Sequence, residues 1–405
     1  MRIIADLHVH SRFSYACSRE MEAERLAWWA KRKGITLLGT GDFTHPIYLT
    51  SLKQKLEPAE EGLFRLREGE REIRFLLTVE ITNIFRHAGR LRKTHTLVFA
   101  PSFVAVDRLN ARLAAHGNLA IDGRPTLTCS AHELLKIVLA TAPECEVIPA
   151  HVWTPWFSVL GSFSGFDSLA ECYGEDVGFI RAVETGLSSD PAMNWRLSAL
   201  DKIALISNSD AHSPRKLARE ANVLECELSY AGVLDALTSH DPAQFLYTIE
   251  FFPEEGKYHL DGHRQCHVRL SPAETRQLKN TCPVCGKRLT VGVLHRVDAL
   301  ADRAMGYQPA GAIPARHLLP LEEIIAAALG QHPNTKKVNT EYDRLIERYG
   351  SELAILLALE EDELADGTPA RTLAGILKVR RGEVNITPGY DGVYGKIGLF
   401  DEGLN

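Results

Sequence analysis

The feature that most constrains this chain is where its histidines and carboxylates fall: most close a short apolar run. The runs IIADLHVH, ITLLGTGD, IRFLLTVE, THTLVFA, CEVIPAH, FIRAVETG, IALISNSD and QFLYTIEFF read as buried strands. Amphipathic stretches separate them. Helices are predicted over Glu20 to Lys33, stopped by Gly34, over Ala131 to Ala142 and over Pro191 to Asp201. Strand–helix alternation of this kind predicts a parallel sheet, and its many repeats favour a β/α barrel over an open sheet.

His8 and His10 end the first run, and period-two alternation points both imidazoles to one face. Asp42 ends the second run, Glu80 the third and His151 the run VIPAH, while Asp210 and His212 close LISNSDAH. His95 lies just before LVFA. The C-terminal strand ends are where a β/α barrel gathers its catalytic groups. One such residue could cap a helix or meet solvent, but so many together point to a metal site. Two or three divalent ions would neutralise a phosphate ester and lower the pKa of a water. Mixed imidazole and carboxylate donors suit Zn²⁺, Mn²⁺ or Fe²⁺ better than Mg²⁺, without fixing the metal. His45 reads either as a further ligand or as a partner behind one, and His116, His132 and His240 as surface or packing residues.

With 405 residues, 45% hydrophobic and 24% charged, the chain is neither disordered nor fibrous and is long enough for two or three units. No apolar run approaches the ~20 residues that span a bilayer. Asp6 and His8 interrupt any signal-peptide core, so no membrane association and a cytoplasmic location are expected. Composition changes after Phe252, and the expected units are 1–252, 253–310 and 311–405. The last carries helical periodicity over Leu321 to Leu329, Glu341 to Glu360 and Ala370 to Val379, then a Gly- and aromatic-rich loop.

The middle unit is too small to bury a core unaided. His263, Cys266, Cys282 and Cys285 give H-x₂-C-x₁₅-C-x₂-C, the spacing of a structural zinc knuckle, with His259 or His267 as alternative ligands for His263. Cys17, Cys129, Cys145, Cys172 and Cys226 are scattered and read as free thiols. The net charge of −6 hides a contrast: Lys257 to Arg316 holds ten Lys and Arg against four Asp and Glu, leaving −12 elsewhere. Arg264, Arg269, Lys287, Arg288 and Arg296 are candidate phosphate contacts, the alternative being a merely solvated basic face.

The ordered set of HVH at 8–10, the Asp42 loop, Glu80, His151 and SDAH at 209–212 resembles the polymerase-and-histidinol-phosphatase (PHP) superfamily over residues 1 to about 250. The resemblance implies an α/β fold: a distorted PHP-type β/α barrel, here with a small zinc module and a C-terminal helical region. It implies that His8, His10, Glu80 and Asp210 hold one ion and that Glu80, His95 and His151 hold a second. His212 and Asp42 would serve a third ion or position substrate. Where the superfamily often has Asp-His, this chain has Asp42-Phe43. Over nearly its whole length, through GTGDFTHP, YHLDGHRQC…CPVCGKRLTVGVLHRV and TPGYDGVYGKI, the chain resembles the endonuclease Q family. That implies a DNA-repair nuclease nicking 5′ of a deaminated base (uracil, hypoxanthine or xanthine) or an abasic site. DNA, double- or single-stranded, would be the partner, with replication or repair proteins as further candidates. Selecting a deaminated base needs it out of the stack, beside a donor and an acceptor. Asn208, two residues before Asp210, and Ser188, just after ETG, are the expected base readers. A histidinol-phosphatase-like enzyme would leave the zinc module without a role, and a non-catalytic DNA-binding factor would not need an intact ligand set.

Overall fold

Most apolar runs fold as short strands with the following polar residue at their ends, whereas Glu80 and His95 lie inside two long strands. A computed structural model describes residues 1–400. It is a mixed α/β fold around an 11-stranded sheet. The strands that carry the site are β1 (Arg2–Asp6), β2 (Leu37–Gly39), β3 (Arg74–His87), β4 (Arg90–Ala100), β5 (Glu146–Pro149), β6 (Ala182–Glu184), β7 (Ala204–Ile206), β8 (Ala221–Glu225) and β9 (Phe245–Glu250). The ladder runs β9–β8–β1–β2–β3, and β4 joins β3 to β5. β6 and β7 form a separate parallel pair. Hydrogen bonds tie this pair to its neighbours, among them Val152 N–H to the Glu184 carbonyl at 3.0 Å and Ser207 N–H to the Asn222 carboxamide at 2.9 Å.

The sheet is mixed, which corrects the expected parallel one. β1–β2–β3 is parallel, but β8 and β9 return antiparallel, and β3 and β4 form a long antiparallel hairpin. The hairpin turn explains the difference. Ala88 and Gly89 both have positive φ, the backbone of a two-residue turn that matches strand twist, and such a turn leaves no room for a crossover helix.

Helix α1 (Ala23–Lys33) forms as predicted from its second turn and ends at Gly34 in the left-handed conformation. The expected helix from Pro191 stops at Asn194, whose side chain accepts a hydrogen bond from Trp153 Nε1 at 2.7 Å. In the C-terminal region α2 (Leu321–Leu329) and α4 (Ala370–Arg381) fall where periodicity puts them. The long helix between them is α3 (Lys336–Tyr349), ended by Gly350 at φ +91° rather than running to Glu360. The glycine-rich tail pairs as two short strands, Asn385–Thr387 and Lys396–Gly398. Residues 401–405, the end of the expected third unit, lie outside the described residues.

One buried ion pair joins α1 to this helical region. Lys33 Nζ lies 2.6 Å from Glu352 Oε2, and both residues are less than a twentieth exposed. Tyr342 donates to the same oxygen at 2.8 Å, and the Leu321 N–H at the start of α2 donates to Oε1 at 3.1 Å. The Trp29 and Tyr342 rings pack alongside. No described helix is long and apolar enough to cross a membrane.

Candidate metal centre

The end of β1, the middle of β3 and the turn after β7 bring four donors together. His8, His10, Glu80 and Asp210 present ligand atoms all within 4.8 Å of one another, and so do Glu80, His95 and His151. Glu80 is common to both groups and divides its oxygens between them. Oε2 lies 3.2 Å from His10 Nε2 and 3.5 Å from His8 Nε2. Oε1 lies 2.5 Å from His95 Nδ1 and 2.9 Å from His151 Nε2. A carboxylate split in this way is the geometry of a bridge between two ions.

The donor set fits divalent ions on its own chemistry. His95 Nδ1 and His151 Nε2 are only 3.2 Å apart while both face one carboxylate oxygen. One proton can serve that contact, whereas a cation satisfies both lone pairs. His8 Nε2 is buried without a hydrogen-bond partner. Burial presses His95 down to about 4 against the pull of Glu80, so its imidazole is neutral and free to ligate. Burial also opposes charge on His8 and His10, but the surrounding carboxylates outweigh it and hold both well above the ordinary histidine range. Burial likewise opposes ionisation of Glu80, yet His95, Arg124 and His8 keep it well below the usual carboxylate range. The same carboxylates that favour the charged forms of His8 and His10 would favour a bound cation.

Partners behind the ligands fix their orientation. Asp42 Oδ1 is 3.2 Å from His10 Nδ1, and its other oxygen accepts from Ser11 N–H, Ser11 Oγ and Ser14 Oγ at 2.6–2.8 Å. Glu184 does the same for His8, with Nδ1 at 3.0 Å, and accepts the backbone N–H of His151 at 2.9 Å. Such partners set the ring tautomer and leave Nε2 for the metal. Asp42, His151 and Asp210 all have positive φ, at +47°, +29° and +47°, strained backbone of the sort concentrated at functional sites. Two glycines are required by close approach. A Cβ on Gly123 would sit 2.2 Å from Asp42 Oδ2, and one on Gly186 would sit 2.4 Å from His151 Cβ.

The remaining predicted residues divide. Asp42 lies against His10 Nδ1, and neither it nor His212 joins a group of three donors. His212 is partly exposed, its ring 4.6 Å from that of His10. Phe43 is fully buried in the core, and His45 stacks on Phe13 instead of reaching the donors. Asn208 does not face a pocket, which corrects its expected role as a base reader. It is fully buried, accepts the Leu7 N–H at 2.8 Å and donates to Glu184 at 2.9 Å. Ser188 does line a cavity of about 590 Å³, with Trp156, Arg219, Tyr258 and Tyr394. Sequence reasoning missed Glu184 and Arg124. Glu184 ends its apolar run as Glu80 does and could have been found by the same criterion. Arg124, whose Nη1 is 3.1 Å from Glu80 Oε2, sits in a loop with no sequence signal.

The second cluster contains His263, Cys266, Cys282 and Cys285, their ligand atoms within 4.8 Å of one another, and excludes His259 and His267. Burial opposes the Cys282 thiolate, but the backbone N–H groups of Cys285 and Val284 hold the thiol below its usual range. The set fits a tetrahedral thiolate-rich ion. Of the expected phosphate contacts, Lys287 and Arg288 are exposed at its tip. Arg269 donates to the Pro388 carbonyl. Arg296 is held by the Leu160 and Phe166 carbonyls and by Asp167, so its guanidinium braces the 160–167 loop.

A mixed α/β sheet whose strands converge on a carboxylate-bridged histidine cluster defines a metal-dependent phosphodiesterase. Comparison with known proteins narrows this. Residues 320–383 match the MJ0043 C-terminal domain family. The chain is 34% identical over 254 residues to the uncharacterized protein MJ0043 of Methanocaldococcus jannaschii, a match that spans 31% of that protein's length and 60% of this chain. The crystal structure of the lesion-specific endonuclease PfuEndoQ from Pyrococcus furiosus superposes with a TM-score of 0.88 at 30% identity, covering 99% of this chain and 96% of that one. Endonuclease Q bound to a 27-mer duplex with an abasic lesion at its active site gives 0.85 at 30% identity, over 99% and 98% of the two chains. The chain belongs to the endonuclease Q family.

Proposed function

We propose that the protein is a DNA-repair endonuclease that hydrolyses the phosphodiester 5′ of a deaminated base or an abasic site. The observation that carries this reading is the Glu80-bridged pair of donor groups beside the cavity at Ser188, in a chain alike end to end to an endonuclease seen with a lesion duplex at its active site. We read the large sheet and the β6–β7 pair as one distorted barrel, residues 253–310 as a zinc-stapled module, and 311–405 as a helical region that grips DNA.

When bound, the ions supply positive charge against the phosphate and draw a nucleophile from water at neutral pH. The protein's own groups do the rest. Asp42 and Glu184 hold His10 and His8 with Nε2 facing inward. Arg124, beside Glu80, offers a guanidinium to a phosphate oxygen. The extruded residue enters the cavity against Trp156 and Tyr258, where Ser188 can donate to the carbonyl that replaces an amine on deamination. The Thr154 end of this cavity adjoins His151, and Arg219 links its floor to the Asp210 carbonyl.

The test is cleavage of matched duplexes carrying one uracil, one abasic site or neither, with histidinol phosphate as a separate substrate. A single nick 5′ of the lesion, absent from the unmodified duplex, is expected. Phosphate release from histidinol phosphate without nicking would overturn the reading.

A further inference from the structure

We propose that the β3–β4 hairpin tip is a DNA-backbone arm, placing Arg86 and Arg90 on duplex phosphates about five to six nucleotides from the scissile one. This rests on the DNA substrate proposed above and adds a contact outside the zinc knuckle.

Sequence supplies the charge. From Ile81 to Val106 there is no Asp or Glu, while Arg86, Arg90, Arg92 and Lys93 fall within eight residues, joined by His87. Register supplies the direction. On β3, Glu80, Thr82, Ile84 and Arg86 share one face by period-two alternation. Their partners across the ladder, Leu97, His95, Lys93 and Leu91, share it too. Arg86 and Lys93 therefore belong to the face that carries the ligands Glu80 and His95, whereas Arg90, paired with His87, belongs to the opposite face and is exposed because it lies at the tip, beyond the packed part of that face. The opposite face packs inward: Arg92 lies 4.3 Å over the Phe166 ring, which also meets Phe85 and His87. The Ser164 hydroxyl donates to the Lys93 carbonyl at 3.2 Å. The arm is thus braced at its root, while Arg86 through Leu91 is exposed.

Reach follows from strand rise. Arg90 is five residues from His95, and Arg86 is six from Glu80. At ~3.4 Å per residue the arm extends roughly 17–20 Å from the centre. Phosphates on one strand advance ~3.4 Å each, hence the offset of about five to six. Among the described residues, no ion pair involves Arg86 or Arg90: Arg86 Nη1 donates only a long 3.4 Å hydrogen bond to the Gly89 carbonyl, so both charges face solvent, while Lys93 lies over the Phe157 ring at the root of the arm. A hairpin needing only protection from edge pairing could use charges of either sign. Here every charge is positive.

The experiment compares wild type, Arg86→Ser/Arg90→Ser and Arg86→Lys/Arg90→Lys, all metal-loaded, on an abasic-site duplex with one uncharged methylphosphonate linkage placed at successive positions. Both positions are exposed, so the variants should fold, which circular dichroism checks. Binding by the Ser variant should weaken roughly tenfold, with the slope of log K against log salt shallower by about 1.8. Wild type should lose affinity when the uncharged linkage sits about five or six nucleotides to one side of the lesion. The Ser variant should ignore that linkage, and the Lys variant should behave as wild type. Ser-variant affinity and salt slope equal to wild type, with wild type still nicking the lesion, would overturn the arm alone. Wild type that neither binds nor nicks lesion DNA would remove the substrate reading and the arm with it.

Discussion

Asp42 accepts His10 at Nδ1, 3.2 Å away, so the ring's other nitrogen is the one that faces Glu80 and Asp210. The carboxylate has no free edge left, because Ser11 and Ser14 occupy its second oxygen. Asp42→Ala should therefore weaken metal binding by about 10- to 100-fold while the protein stays folded. Metal titration of the apo-protein reads this directly. Affinity equal to wild type would place Asp42 outside the centre.

Metal loading should release protons. His8 and His10 are held well above the ordinary histidine range by carboxylates that overcome burial. In the metal-free protein their charged forms add stability that is full below the unfolded value of about 6.5 and is lost as pH rises through the raised folded values. Glu80 and Asp210 are shifted the other way, so their contribution is present above about 4 and is lost only as acid brings pH down through the lowered folded values. The ion held by His8 and His10 must displace imidazole protons, and its apparent affinity should climb with pH above neutrality. Calorimetric titration in two buffers of different ionisation heat counts the released protons. Identical heats in both would contradict it.

The Lys33–Glu352 pair should matter to stability far more than the exposed pairs of the surface. Glu352→Ala leaves a buried ammonium without its partner and also strips Tyr342 and the Leu321 N–H of their acceptor. A loss of about 3–5 kcal/mol is expected from such a break. Chemical denaturation of wild type and variant measures it, and a loss under about 1 kcal/mol would show that the pair is not load-sharing.

Cys282→Ser together with Cys285→Ser should remove one ion per chain by elemental analysis and weaken DNA binding, with the bridged centre still loaded. An unchanged ion count would mean that the cysteines hold no metal.

The strand-end rule located most of the site because it is local. A buried run forces the next polar residue to a predictable place, and His8, His10, His151 and Asp210 obey it, whereas Glu80 lies inside its strand. What lay beyond sequence was relational. Asn208 satisfied the same periodicity as Asp210, yet its amide is consumed by Leu7 and Glu184, contacts about 200 and 24 residues away in the chain. Asp42 looked like a ligand but lies against His10 Nδ1, outside both donor groups. Arg124 reached Glu80 from a loop that no pattern marks. The antiparallel return of β4 turned on two positive-φ residues, only one of them a glycine.

Glu352 takes Lys33, Tyr342 and the first amide of α2 on one side chain. The surface of α1 that receives it includes Trp29, which is nearly fully buried. A gene carrying the metal-binding portion without the helical portion would present that aromatic surface to water. Truncation between the two portions is therefore expected to leave a metal-binding fragment that self-associates through this uncovered aromatic face.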